Sequence, residues 1–311
     1  MGGEIRPCDD AKQLQQYINT YWRRGHVLAS YDAMLWFTYS TLWVNKSVCA
    51  CGMSVFGLYD GSRMTGFLGS IVTPYPRPQS YWLALWHVLP ETKGTGLGGK
   101  LLARMQWIAE ECDGWIGTFG AGPEALPVYL KRGYCVRGAR RWVYSGDGAA
   151  ATGAPAAALA RLHSAEQPAS REWFDHRYWK HPVYKYSSQG EVIYRTEENE
   201  WGVVTHICHQ PVSSDEAIRR IFATESAKAG GRRFLMDAWG FDCPGAGWVL
   251  APDDLPSVFH PPEARGSTIY AVGRPFVVSR VEKGDCDQDR PNGLRQAGTV
   301  THKTLESAHG H

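Results

Sequence analysis

Gly94, Gly96, Gly98 and Gly99 crowd into one short stretch, Lys93-Gly94-Thr95-Gly96-Leu97-Gly98-Gly99-Lys100, between a strand-like run and a helix-like run. Glycines so spaced let a backbone take positive φ and approach a ligand closely. The following LLARMQWIAEE carries Leu101, Leu102, Met105 and Ile108 at helical spacing, so the loop opens a helix whose first amides and dipole favour a phosphate. Gly99-Lys100 is followed by Leu101 and not by Ser or Thr, which removes the magnesium-binding hydroxyl of a Walker loop. The spacing Gly94-x-Gly96-x-x-Gly99 also fits a dinucleotide loop, but that motif belongs in the first turn of repeated βαβ units, which the preceding chain lacks. A glycine-rich turn with only a packing role is the structural alternative.

The elements that must hold this loop are readable around it. Tyr81 to Val88 is an apolar aromatic run of strand length, ended by Pro90. Some thirty residues on, Tyr129-Leu130-Lys131-Arg132-Gly133-Tyr134 places a tyrosine before a glycine at a helix-to-strand turn. The loop and this second pattern, in this order and spacing, resemble the acetyl-CoA loop (Gln/Arg-x-x-Gly-x-Gly/Ala) and the Tyr-x-x-x-Gly-Phe/Tyr signature of the GNAT (GCN5-related) acyltransferase superfamily. Lys93 stands where that family has Arg or Gln, keeping the charge and losing the fork. The resemblance implies an α/β fold with a mixed sheet. It also implies acetyl-CoA or another short acyl-CoA as co-substrate, bound by Val88, Lys93, Gly94, Thr95, Gly96, Leu97, Gly98 and Gly99. Tyr129 would protonate the departing thiolate.

With 311 residues the chain suggests two units, since single cores stop growing near ~250–300 residues. Its 33 basic and 31 acidic residues leave a net charge of +2, which gives no footprint for nucleic acid. Arg137, Arg140 and Arg141 form a local basic cluster, read either as a solvated strand edge or as a phosphate contact. The cysteines form no CxxC pair and have no histidines at finger spacing, so no metal is expected. The start MGGEIRPCDD has no apolar run of a signal peptide, no apolar stretch reaches the ~20 residues of a membrane span, and a cytoplasmic location is expected. Oligomeric state is not readable.

In order, residues 9–22 have the spacing of an amphipathic helix capped by Asp9 or Asp10, then comes a loop with His26, and ASYDAMLWFTYSTLW reads as a second helix. Tyr59-Asp60-Gly61-Ser62 supplies a hairpin turn. Domains are expected at 1–147 for the acyl-CoA-binding unit, 148–164 for an Ala/Gly/Ser-rich linker, 165–292 for a second unit and 293–311 for a polar tail. In the second unit EVIYRTE and WGVVTHICHQ read as a strand pair, SSDEAIRRIFATESAKAGG as a helix capped by Ser213 or Ser214, and RRFLMDAWG as a strand. This looks like a tandem GNAT-like arrangement whose C-terminal copy has lost its glycine-rich loop.

The order of GHVLASYDAMLWFTY, the loop, the Tyr129 signature, HRYWKHPVYKY and KGDCDQDRPN is similar to two-domain GNAT-like proteins of bacterial O-antigen and capsule clusters. That likeness implies N-acylation of a nucleotide-linked amino sugar by direct attack, without an acyl-enzyme. It places Asp32, Trp36, His181, Tyr184 and Asp237 on the acceptor side, with His176 and Tyr186 near them, whereas a polar-aromatic packing patch is the plainer reading of the histidines and tyrosines. Asp285, Asp287 and Asp289 alternate in a pattern that could meet a hydrated cation or sugar hydroxyls, but without the Gly and Glu of an EF-hand loop they fit a solvated turn better. His26 and His87 are the candidate bases, and a backbone N–H near Val88 would polarise the thioester carbonyl. Acylation of an aminoglycoside or peptide amine, or a non-catalytic acyl-CoA sensor, are the alternative functions.

Overall fold

The computed structural model describes residues 3–8, 10–22, 30, 32, 55–73, 80–121, 125–146, 171–199, 202–211, 214–240, 243–251 and 268–274. His26, Trp36, nearly all of the expected second helix, the 148–164 linker, the aspartates at 285–289 and the tail lie outside the described residues. The described strands form one mixed sheet. Its order is β1 (Glu4–Pro7), β2 (Val55–Asp60), β3 (Arg63–Thr73), β4 (Ser80–Val88), β5 (Trp115–Phe119), β12 (Thr268–Arg274), β6 (Cys135–Tyr144), β10 (Phe234–Gly240), β9 (Gly202–His209), β8 (Val192–Asn199) and β7 (Ser187–Gln189). Strand β11 (Trp248–Leu250) pairs with the end of β6.

Local chemistry accounts for the element ends. Helix α1 (Ala11–Tyr17) starts at Asp10, whose carboxylate accepts from the amides of Lys12 at 2.8 Å and Gln13 at 3.1 Å, and it runs into a π-helical turn over Ile18–Trp22. The β2–β3 hairpin turns at Asp60-Gly61, with Gly61 at φ 59°, as Asp-Gly turns do. Helix α2 (Leu97–Glu111) buries Leu101, Leu102, Met105 and Ile108. Helix α3 (Leu126–Lys131) follows β5, and α4 (Arg171–Phe174) runs into a second π-helical turn, Asp175–Trp179. Helix α5 (Asp215–Lys228) has Ser214 at its cap position, but no side-chain bond caps it. Asp215 and Glu216 in its first turn meet the dipole instead.

One arrangement, a parallel strand pair with a helix between its strands in sequence, occurs in each half of the sheet. β4 and β5 are parallel with α2 between them in sequence, and β9 and β10 are parallel with α5 between them. The last strands of the units are interleaved: β12, from the far end of the chain, lies antiparallel between β5 and β6, while β6 reaches across to pair antiparallel with β10. The sheet is therefore continuous across the boundary expected at 147.

Alternation sorts the two faces. On one, α2 covers Tyr81, Leu83 and Ile116, and α5 covers Ile207, Met236 and Ala238. On the other, Ala11, Leu14 and Tyr17 of α1 pack on Val55, Phe67, Trp82, Trp115 and Phe119. Further along that second face, β6, β8, β9 and β10 present Arg141, Arg195, His206 and Asp237, all buried. Of the 137–141 arginines, Arg137 and Arg140 are exposed as expected of a solvated position, but β6 lies inside the sheet and not at its edge, and Arg141 is fully covered.

Candidate functional site

Pairing between β4 and β5 joins Ser80, Tyr81 and Trp82 to Trp115, Ile116 and Gly117, and no pair beyond Trp82 follows among the described residues. The last bond holding them is Thr118 Oγ1 donating to the Leu83 carbonyl at 2.7 Å. At that point β4 has a bulge against β3: Leu68 faces Trp86, Gly69 faces Ala84, and Leu85 between them has φ 47°. A positive φ is unusual for leucine and marks strain held by its surroundings.

The bulge has a consequence for every side chain after it. Strict alternation from Tyr81 and Leu83 would send His87 to the α2 face. The extra residue reverses the phase. Trp86 and Val88 therefore join the α2 cluster, while His87 faces α1. There Tyr17 Oη lies 3.0 Å from His87 Nδ1, and Trp22 stacks on the imidazole at 5.8 Å. Burial, and then the charge of Lys93, hold His87 below the usual imidazole range, so it is neutral at pH 7.

The strand leads through Leu89 and a 3-10 turn, Pro90–Thr92, into the glycine-rich loop. Thr95 Oγ1 donates to the Thr92 carbonyl at 2.7 Å and folds the loop back on itself. Gly96, at φ 80°, is the left-handed cap of α2, a conformation that strains other L-residues. Gly98 is different. A Cβ there would sit 3.6 Å from Val88 Cγ1 and 3.7 Å from the Trp86 ring, ordinary contacts, so packing alone does not require glycine. The amides of Leu97, Gly98 and Gly99 lie in the first helical turn, where no intrahelical carbonyl reaches them, and that turn holds no acidic residue.

Tyr129 of α3 comes to the same place from the other side. It is 3% exposed, edge-on to Trp86 at 5.8 Å and to Tyr134 at 5.2 Å. Burial, reinforced by Tyr134, pushes its phenol well above the ordinary range, so it keeps its proton at neutral pH. Among the described residues no hydrogen bond is made to its hydroxyl.

The structure thus brings Val88, the 93–99 loop and Tyr129 together on one face of β4, with His87 across the strand. Asp32 is exposed. The acceptor-side expectations of the second half fall in a separate group. His181 Nδ1 accepts from the amides of Val183 and Tyr184 at 3.1 Å, and its ring stacks on Tyr184 at 4.6 Å. Arg195 lies over Tyr184 at 4.3 Å and pairs with Glu197. Asp237 is wholly buried, one oxygen taking Arg141 Nε at 2.7 Å and the other His206 Nδ1 at 2.6 Å. Tyr17, Trp22, Arg195 and His206 were not singled out by sequence, and Arg141 only within the 137–141 basic cluster; the alternation of Arg195 and Glu197 opposite His206 was the available signal. Among the described residues no group of three or more His, Cys, Asp or Glu is placed to hold a metal.

No family model matches this sequence, and no curated protein matches it. Solved structures do. A GCN5-related N-acetyltransferase from Anabaena variabilis superposes with a TM-score of 0.53 at 11% identity, covering 88% of this chain and 72% of that one. The fold is that of the GCN5-related N-acetyltransferases. A second such enzyme, from Kribbella flavida, gives 0.52 at 15% identity over 88% and 70% of the two chains. A protein from Enterococcus faecalis described as a probable N-acyltransferase gives 0.52 at 11%, over 90% and 73%. No helix among the described residues is long and apolar enough to cross a membrane.

Proposed function

We propose that this protein is an N-acyltransferase that moves an acyl group, most simply acetyl, from acyl-CoA to a primary amine. One observation carries the reading: an acid-free helix start behind a glycine-rich loop lies against the free end of β4, with a buried, protonated phenol at the same spot. The loop and first-turn amides of α2 hold the pyrophosphate. The released end of β4 offers its backbone to the pantetheine arm and an N–H to the thioester carbonyl. The amine approaches from the α1 face and gives its proton to neutral His87, directly or through water. Nitrogen attacks the carbonyl carbon, the C–N bond forms, the C–S bond breaks, and Tyr129 donates its proton to the leaving sulfur. Two bound substrates held in line make a covalent acyl-enzyme unnecessary.

For the acceptor we infer a nucleotide-linked amino sugar, on the likeness of the sequence order to two-domain proteins of O-antigen and capsule clusters and on the aromatic and histidine groups at 176–186. The second unit supplies acceptor specificity in this reading and has no acyl-CoA site of its own. Its counterpart of the loop, the β9–α5 turn, carries Gln210, Pro211 and Ser214 but no glycine.

Gly98→Asp tests the donor site. The new carboxylate sits at a helix N-terminus, which favours folding, yet faces the pyrophosphate. Calorimetry with acetyl-CoA should show affinity lowered at least ~100-fold in a variant whose melting temperature is unchanged or raised. Unchanged affinity in the folded variant would refute the site.

A further inference from the structure

Arg132, at the C-terminal end of α3, turns its guanidinium onto the first turn of α2: Nη2 lies 3.3 Å and Nε 3.9 Å from where a Cβ on Gly99 would stand. A cation at the positive end of a helix dipole is unfavourable by itself, and Lys93 and Lys100 add charge beside it. No acidic side chain in that turn offsets them. An anion bound there reverses the sign of all these terms.

The backbone that carries Arg132 is held from the other end of the chain. Arg274, the last residue of β12, donates from Nη1 to the Arg132 carbonyl at 2.7 Å, and its Nη2 pairs with Glu110 of α2 at 3.4 Å. One guanidinium thus ties β12, the end of α3 and the last turn of α2 together. The turn it grips is a tight one, with Gly133 at φ 77° and the Tyr134 amide returning to the Tyr129 carbonyl at 3.2 Å. Arg274 reaches this turn only because β12 is inserted between β5 and β6.

We propose that Arg132 grips a phosphate of acyl-CoA at the start of α2 and that Arg274 is its positioning residue, so that the second unit of the chain completes the donor site of the first. This rests on the acyl-CoA reading given above. Arg132 contacts the ligand and Arg274 acts through Arg132.

The test is a double-mutant cycle on the full chain, with CoA itself as the titrant. Arg132→Met should weaken CoA binding by at least ~10-fold, the scale of one charge-assisted bond. Arg274→Met should weaken it several-fold and Arg274→Lys less, because lysine keeps one of the two contacts. The pair Arg132→Met/Arg274→Met should bind no worse than Arg132→Met alone. Additive losses, or an Arg132→Met variant that binds CoA normally, overturn the proposal. A wild-type chain that does not bind CoA at all overturns the acyl-CoA reading instead, which the Gly98→Asp pair of measurements checks independently. Melting temperatures of each variant separate lost folding from lost affinity.

Discussion

Each half of the sheet has a parallel strand pair joined through a helix, and the two halves differ in what they put around that pair. Between its parallel strands the first has a glycine-rich turn into α2, and the second has a turn with proline and serine into α5. On the face away from these helices the first unit packs Trp82 against Trp115 at 4.6 Å, whereas the second, with β6 reaching into it, buries a polar chain from Arg141 through Asp237 and His206 to Glu197 and Arg195. Apolar packing gains free energy from burial itself. A buried ionic chain gains it only while every partner is present. The unit with the loop has the simpler core, and the unit without it maintains a costly polar one, a division expected if donor binding lies in the first and acceptor recognition in the second.

The sharpest way to break this comparison is at Tyr129. Tyr129→Phe retains the ring contacts with Trp86 and Tyr134, and kcat should fall ~10²–10⁴-fold with KM for acyl-CoA nearly constant. A loss below about threefold would give the proton to water. Next comes the ionic chain. Asp237→Ala leaves Arg141 and His206 without their shared carboxylate, and urea unfolding should show a loss of about 3–5 kcal/mol. A loss under about 1 kcal/mol would mean that water already solvates that face.

The smallest effect is a pH dependence confined to the second unit. His176, in the Asp175–Trp179 turn, is held down to about 4 by burial, then by Arg177 and Lys180. Its folded value lies below its unfolded one, so the unfolded chain takes up the proton first as pH falls. Stability should therefore rise with pH between about 4 and 6.5, by at most about 3 kcal/mol from this group. Melting curves across that window should flatten in His176→Gln; an unchanged slope would assign it elsewhere.

Much of this was legible locally. The glycine spacing before Leu101, the Asp60-Gly61 turn, the Asp10 cap and the β8–β9 pair follow from short-range rules and appear at those positions. Three features were not, each for a physical reason. The bulge at Leu85 is set by how β3 and β4 meet, so the side on which His87 lies cannot be counted from sequence alternation. The counterpart of the loop in the second unit is the β9–α5 turn, and only the parallel pairing of β9 with β10 reveals the correspondence. And Arg141, His206 and Asp237 carry ordinary surface residue types, made interior by strands that meet only in three dimensions.

The position of β12 also orders events in time. As the chain leaves the ribosome, β5 and β6 emerge early, yet the strand that belongs between them is not made until residues 268–274. Until then β5 has an unpaired edge, the kind of exposed strand that chaperones cover and that pairs wrongly when left open. The first half of the sheet therefore cannot be completed until residues 268–274 have been made, long after β5 and β6.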